Sequence, residues 1–425
     1  MFFAIVMMAF ALVANAQSGT NSPYSQFGLG ILSDQTSGFN RGMNGLGIGY
    51  RQGNQVNFIN PASYSSMDSL TFIFDAGISG QITNFEENGV KKNAKNANFE
   101  YVVAAFRLRK HLGVSIGILP FTNVGYNYSS TESLNDDRSV IYTNTYDGKG
   151  GIRQVYLGIG WEPIRNLSVG ANFSYLWGNF ERTISNVYSE STAKTLNKIY
   201  KATFNDYQLN FGAQYSLPLN TKDVVTLGAT FSPKHRMGAD PECLIISSTS
   251  TSRDTTTHSV ENGFELPMMV SAGLMFSHNK QLNVGVDYSL QRWGSTTFPV
   301  YGVENNQPVY KLSNDYFMDR HKINVGGEYC RGRMARRFID RLHYRAGVSY
   351  ATPYVKINGH DGPKEISVSA GFGIPIVNGW NNRSFLNISG QWVRQSGKGM
   401  ITENSFRINI GVTFNERWFQ KWQVE

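Results

Sequence analysis

From Leu70 to Ile82 the chain alternates apolar and polar side chains for longer than a soluble strand needs. Leu70, Phe72, Phe74, Ala76, Ile78 and Ile82 hold the even positions and Thr71, Asp75, Gly77, Ser79 and Gln81 the odd ones, with Ile73 out of step. A period of two sends successive side chains to opposite faces of a strand. Soluble strands run about five or six residues, and this run passes even the roughly 9 to 11 residues of a tilted membrane-crossing strand. The pattern returns in 155–161, in 167–177 and in "QLNVGVDYSLQ", where Leu282, Val284, Val286, Tyr288 and Leu290 face away from Gln281, Asn283, Asp287 and Gln291.

All such runs together predict about fourteen strands, near 68–82, 97–108, 111–127, 151–162, 166–180, 201–217, 223–234, 261–277, 280–290, 316–330, 341–352, 365–377, 383–396 and 404–414. The connections between them sort into two kinds. Those at 109–111, 162–166, 217–223, 277–280 and 378–383 are short; the polar segments 83–96, 128–150, 181–200, 235–260, 291–315, 353–364 and 397–403 are longer. Short and long turns in alternation mark an antiparallel up-and-down barrel in an outer membrane.

A soluble sandwich also alternates, and the chain's chemistry separates the two. Charged residues make up 16% and aromatic residues 13%, with 43 glycines, whereas soluble proteins carry about 25% charged residues. The polar faces hold Gly, Ser, Asn and Gln, as suits a crowded lumen. Trp161, Tyr175, Trp177, Tyr350 and Trp392 sit near strand ends, where interfacial girdles belong. An even number of strands closes the sheet and leaves no unpaired edge in lipid. Lipid is therefore expected on the even side of 70–82 and a polar lumen on the odd side.

Residues 1–16 read as a signal peptide: an apolar run closes on Ala14-Asn15-Ala16, placing the mature start at Gln17, although the usual positive n-region is missing. Residues 17–67 form a glycine-rich segment without a clear strand, 68–414 the barrel, and 415–425 a tail expected in the periplasm, as are both termini. The strand map puts Cys243 and Cys330 at opposite ends, too far apart for a disulfide, so two free thiols are expected. The last strand, "SFRINIGVTF", ends on an aromatic residue, Phe414.

The glycine-rich segment, the Asn60-Pro61-Ala62 box just before the first strand, and the strands after it resemble the FadL family of outer-membrane transport proteins. Within that family "NSPYSQFGLG" (21–30), "YRAGVSY" (344–350) and "GVTFNERWF" (411–419) look most like divergent members common in Bacteroidetes. The resemblance implies an outer-membrane barrel of a Gram-negative bacterium, closed by an N-terminal hatch and passing hydrophobic molecules, fatty acids in the best-known members. It also implies a second role, found in relatives that act as shuttles or accessory subunits in protein secretion or outer-membrane assembly. Passive transport of hydrophobic compounds is the leading expectation, and a non-transporting subunit of such a complex the alternative. Asn60, Pro61 and Ala62 carry over as hatch residues; a plain turn into the first strand explains them as well.

Pro120 interrupts the third strand, either as a kink opening the wall sideways or as a simple strand end. Parity points Asp75, Asp287, Arg345 and Arg407 into the lumen, where mutual salt bridges are the expected arrangement and a ligand carboxylate the other reading. Arg331, Arg333, Arg336, Arg337 and Arg341 crowd one connection that could hold anionic headgroups or a partner protein, or simply be a solvated turn. The seven histidines are scattered, with His321 and His343 single on their strands, and no catalytic or metal-binding spacing appears. No enzyme, no cofactor and no metal are expected; the net charge of +8 does not signal nucleic acid in an exported barrel. The expected partners are outer-membrane lipids, a hydrophobic small molecule and proteins of an outer-membrane complex.

Overall fold

The computed structural model describes residues 19–133, 141–190, 193–249, 251–332, 335–376 and 384–416. Residues 1–16, expected as a signal peptide, Arg333, and the residues beyond Glu416, expected as a tail, lie outside them. Fifteen strands build the wall: β1 (Phe72–Glu87), β2 (Val90–Arg109), β3 (Leu112–Pro120), β4 (Thr122–Ser133), β5 (Ile141–Ile164), β6 (Leu167–Tyr188), β7 (Thr195–Pro218), β8 (Asp223–Ser232), β9 (Met269–His278), β10 (Leu282–Gln291), β11 (Arg320–Tyr329), β12 (His343–Ala351), β13 (Lys364–Ile376), β14 (Ser384–Ser396) and β15 (Thr402–Glu416). β3 and β4 share one stave, so the barrel has 14 positions. Neighbours pair antiparallel, and β15 closes on β1 from Phe72↔Glu416 to Glu86↔Thr402. No strand edge is left at the closure.

The wall is polar within and apolar without. Ile78, Leu157, Phe173, Phe211, Phe372 and Ile408 point outward and are exposed, while Ser79, Asn172, Gln214, Asp287, Ser369 and Asn409 point inward and are buried. In water such an outer belt would forgo about 25 cal/mol for each Å² of apolar surface left wet; hydrocarbon removes that cost. Exposed Trp161, Tyr175 and Tyr350 fringe the belt, whereas Trp177 lines a cleft in the wall beside Pro120. No helix among the described residues is long and apolar enough to cross a membrane.

Several strands extend well beyond the sequence expectation. Segments expected as polar loops, 83–96, much of 128–150 and 181–200, continue the ladder as hairpins rising above the belt. Alternation reports burial, and most residues of these extensions are half-buried or exposed on both faces, so backbone pairing continues without the signal. The β1–β2 hairpin turns on Asn88 (φ 49) and Gly89 (φ 81), an Asn-Gly pair suited to a two-residue turn. Conversely β9 begins at Met269 and not near 261: Pro267 interrupts, and Phe264–Leu266 pairs with His235–Met237 above the lumen.

Over the long-loop mouth lies an aromatic cap in which Phe180, Phe204, Phe264, Trp293, Phe298 and Phe317 enclose Tyr24 and Leu29 of the N-terminal segment. Below it the segment descends through the barrel. Phe39, Met43, Leu46 and Tyr50 pack together with Met275, and Val56, Phe58, Tyr64 and Met67 fill the base against Ile73, Tyr101 and Tyr156. Ile73, out of step in the sequence, faces inward into this base cluster. Cys243 and Cys330 are free and buried.

Candidate functional site

The N-terminal segment occupies the lumen as a hatch, and the Asn60-Pro61-Ala62 box is one of its seats. The Asn60 side chain accepts from Ala62 N at 3.1 Å, capping the short helix Pro61–Ser66. Its Nδ2 donates to Ile48 O at 2.9 Å and to Ala213 O at 3.1 Å on the wall. The wall meets the box with glycines. A Cβ at Gly170 would stand 2.4 Å from Pro61 C, one at Gly160 2.4 Å from Pro61 O, and one at Gly212 2.1 Å from Asn60 Oδ1. These inward glycines were legible in the sequence only as small residues on a polar face.

The four lumen charges do not pair with one another, contrary to the sequence expectation. Two grip the hatch backbone: Asp287 accepts from Gly47 N at 2.7 Å and Ile48 N at 2.9 Å, while Asp75 accepts from Tyr101 OH at 2.9 Å, whose oxygen accepts from Gly38 N at 2.6 Å. Arg407 meets hatch residue Asp34 at 3.3 Å, and Lys322 reaches the same carboxylate at 3.4 Å. Arg345 bonds Glu328 at 2.6 Å and Asn387 at 2.6 Å. The lumen these side chains line is already occupied by the hatch, which strand parity cannot tell.

Two residues that the sequence reading passed over complete the clamp. The β1–β2 register shifts between Gly77 and Ile78, and this bulge turns both Glu100 and Tyr101 inward. Glu100 then forms a 2.8 Å ion pair with Arg41 of the hatch. Near the short-turn end, Glu328 also lies 3.2 Å from His343, which the sequence reading held to be isolated, and accepts from Tyr50 OH at 3.1 Å.

At Pro120 the wall parts. β3 pairs with β2 only up to Val102↔Ile118, and with β5 from Leu112↔Trp161 to Pro120↔Arg153. Beyond Phe121, β4 stays with β5, from Val124↔Gly150 to Ser133↔Ile141, and among the described residues no ladder joins it back to β2. The hatch takes the freed edge: Ile31↔Asn123 and Leu32↔Thr122 form a short antiparallel pair, and Ser33 N donates to Phe121 O at 3.0 Å. Gly150 (φ +117), Gly151 (φ +138) and Gly178 (φ +149) let the neighbouring strands bend here; a Cβ at Gly150 would stand 2.1 Å from Asn179 O.

Outside this stitch is a cleft of about 540 Å³ lined by Phe99, Ile118, Pro120, Lys149, Arg153 and Trp177. Inside it, cavities of about 210 Å³ and 80 Å³ lie between hatch and wall. Leu32 and Ser33 border both inner cavities, and Gly19, Asn98 and Asn123 line both the cleft and the smaller cavity.

The arginine-rich connection carries a short helix, Phe338–Arg341. Arg331 pairs with Asp340 at 3.3 Å, Arg341 lies 5.9 Å over the Phe338 ring, and Arg336 and Arg337 are exposed. The tail expected in the periplasm lies outside the described residues, and the C-terminal end of β15 lies at the short-turn end. The start of the described chain does not: Ser22 donates to Glu403 at 2.7 Å and Tyr24 OH bonds Ile401 O, both beside a long loop. Parity counts strands only, and the hatch threads the lumen from the far end before β1 begins. Among the described residues no group of three or more His, Cys, Asp or Glu is placed to hold a metal ion.

The architecture matches solved barrels of the FadL type. The toluene transporter TodX of Pseudomonas putida superposes with a TM-score of 0.62 at 14% identity, over 91% of this chain and 99% of that one. TbuX, the toluene transporter of Ralstonia pickettii, gives 0.60 at 14% identity, over 89% and 98%. A FadL homologue of Pseudomonas aeruginosa gives 0.60 at 12% identity, over 90% and 99%. No protein of curated function matches the sequence. In sequence the match is to one family along the whole length, residues 1–425, and the chain belongs to that family, BamG.

Proposed function

We propose that this protein is a non-transporting outer-membrane barrel that serves as an accessory subunit of an outer-membrane protein assembly complex, with its short turns facing the periplasm. The observation that carries the reading is the stitch of Ile31, Leu32 and Ser33 across the break at Pro120. A channel for hydrophobic compounds needs a through path, and here a hatch strand pairs with the wall edge at the break. The cavities that Leu32 and Ser33 border, about 210 and 80 Å³, fall below the roughly 300–1,000 Å³ of ligand sites, and the larger space between hatch and wall, about 610 Å³, lies at the short-turn end beside Tyr50, Asn283 and His343. Clamps on Arg41, Gly38, Gly47 and Asn60 tie the hatch to many staves, as suits a rigid body more than a gate. The family name, BamG, fits an assembly role.

A second reading keeps passive transport. The cleft of about 540 Å³ is of ligand size and carries apolar Phe99, Ile118 and Trp177, and the toluene transporters share the fold. Under that reading the hatch strand moves to let a hydrophobic molecule leave sideways into the bilayer.

Depleting the protein from its host separates the two. The assembly reading predicts that newly made outer-membrane barrels fall in amount while uptake of hydrophobic compounds by the remaining cells is unchanged. Normal barrel levels with lost uptake would overturn it in favour of transport.

A further inference from the structure

We infer that the short-turn rim of the barrel binds the headgroups of anionic phospholipids, holding the protein at a fixed depth in the membrane. The turns there repeat one composition around the circumference. Lys110 follows exposed Leu108 at β2–β3, Arg165 follows Ile164 at β5–β6, Lys222 follows Leu219 at β7–β8, and Arg336 and Arg337 precede Phe338 and Ile339 at β11–β12. All five cations are exposed, and so are the apolar neighbours, Ile164 at 66% and Leu108 at 61%.

The acids that share these turns are each within reach of another basic side chain. Glu162 is held by Arg51 at 2.8 Å and His111 at 3.2 Å, Asp223 by His278 at 2.6 Å, and Asp340 by Arg331 at 3.3 Å. Among the described residues no ion pair engages Lys110, Arg165, Lys222, Arg336 or Arg337. The rim is left as a ring of positive charge interleaved with apolar side chains, the composition that sits at a headgroup boundary.

The arginine-rich connection shows which way the ring faces. Tyr344 points outward among the belt residues, and its hydroxyl donates to Ile339 O at 3.0 Å. That bond draws Phe338 and Ile339 toward the outer wall, level with the membrane, and away from the axis of the lumen. A protein partner would occupy one sector; cations spread over four turns around the barrel match a surface that surrounds it.

The test uses the full chain reconstituted in nanodiscs of phosphatidylglycerol and phosphatidylcholine in equal amounts, then extracted and weighed intact to read the lipids retained. Wild type is expected to enrich the anionic lipid, less so at high salt. The variant Lys110→Gln/Arg165→Gln/Lys222→Gln/Arg336→Gln/Arg337→Gln is expected to lose that enrichment by more than about fivefold, since one cation near a charged surface contributes a factor of that order. The heat-dependent gel shift of a closed barrel verifies that the variant is folded. The pair Phe338→Ser/Ile339→Ser is expected to weaken retention of both lipids alike. Equal enrichment in wild type and the five-residue variant overturns the inference. So does an absence of enrichment accompanied by loss of a periplasmic protein from the variant's native complex, which would assign the rim to that protein.

Discussion

Arg41 of the hatch and Glu100 of β2 form an ion pair of 2.8 Å with side chains only 3% and 8% exposed. The pair exists because a bulge turns Glu100 inward at a position where strict alternation would have put it in lipid. Removing one partner of such a pair leaves a buried charge uncompensated, at a cost of about 3–5 kcal/mol. Arg41→Met is therefore expected to loosen the hatch, read as faster hydrogen exchange across residues 34–45. Arg41→Met/Glu100→Gln should recover part of the protection, and exchange unchanged in the single variant would show that the pair does not hold the hatch.

The glycines under the Asn60-Pro61-Ala62 box predict a contrast between two positions. Gly170→Ala places a methyl 2.4 Å from Pro61 C and 2.6 Å from Ala62 N, while a Cβ at Gly80 meets nothing within 4 Å. The first substitution is expected to destabilise by about 1–3 kcal/mol through overpacking, and Gly80→Ala to be near neutral. Thermal unfolding in detergent measures both, and equal melting temperatures would contradict the tight seat.

Ser33 N donates to Phe121 O at 3.0 Å, beside the two paired residues that stitch the wall. Ser33→Pro removes that donor, and the lost hydrogen bond costs about 0.5–1.5 kcal/mol. Cells carrying this variant should take up an apolar fluorescent probe faster than cells with the wild type. Rapid uptake with the wild type, unaltered by the substitution, would mean that the stitch does not close the cleft.

Above the belt, burial pushes the Glu403 carboxyl up to about 7 from an ordinary 4.5, against the lowering effect of the Ser22 hydroxyl that donates to it at 2.7 Å. A raised carboxyl pKa means that the folded state holds the proton longer. The stability of this contact is thus complete below about 4.5 and is lost as pH rises through about 7. Hydrogen exchange at 22–27, corrected for its intrinsic pH dependence, should quicken between pH 5 and 8 in the wild type and not in Glu403→Gln. The same response in both proteins would exclude Glu403 as the cause.

The barrel was legible because lipid and lumen impose opposite demands on alternate residues: Phe406, Ile408 and Ile410 against Arg407 and Asn409 leave little choice of fold. The hatch was legible only as a glycine-rich stretch without periodicity, since its buried Phe39, Leu46 and Tyr64 follow no repeat. Asn88-Gly89 carried a turn signal overshadowed by the polar residues around it. The bulge at Glu100 leaves no mark in the sequence, because it depends on register with β1. Nor could the direction in which 19–67 traverses the lumen be read, for that is decided by contacts such as Ser22 with Glu403 and Asn60 with Ala213, which join distant parts of the chain.

The central claim is that this barrel works as a part of a larger assembly. Purifying the full chain from native membranes in mild detergent and identifying what accompanies it tests that claim most directly. The account predicts stoichiometric outer-membrane assembly proteins that remain bound through size-exclusion chromatography. A protein that elutes alone, with a hydrophobic small molecule in its cleft, would contradict it.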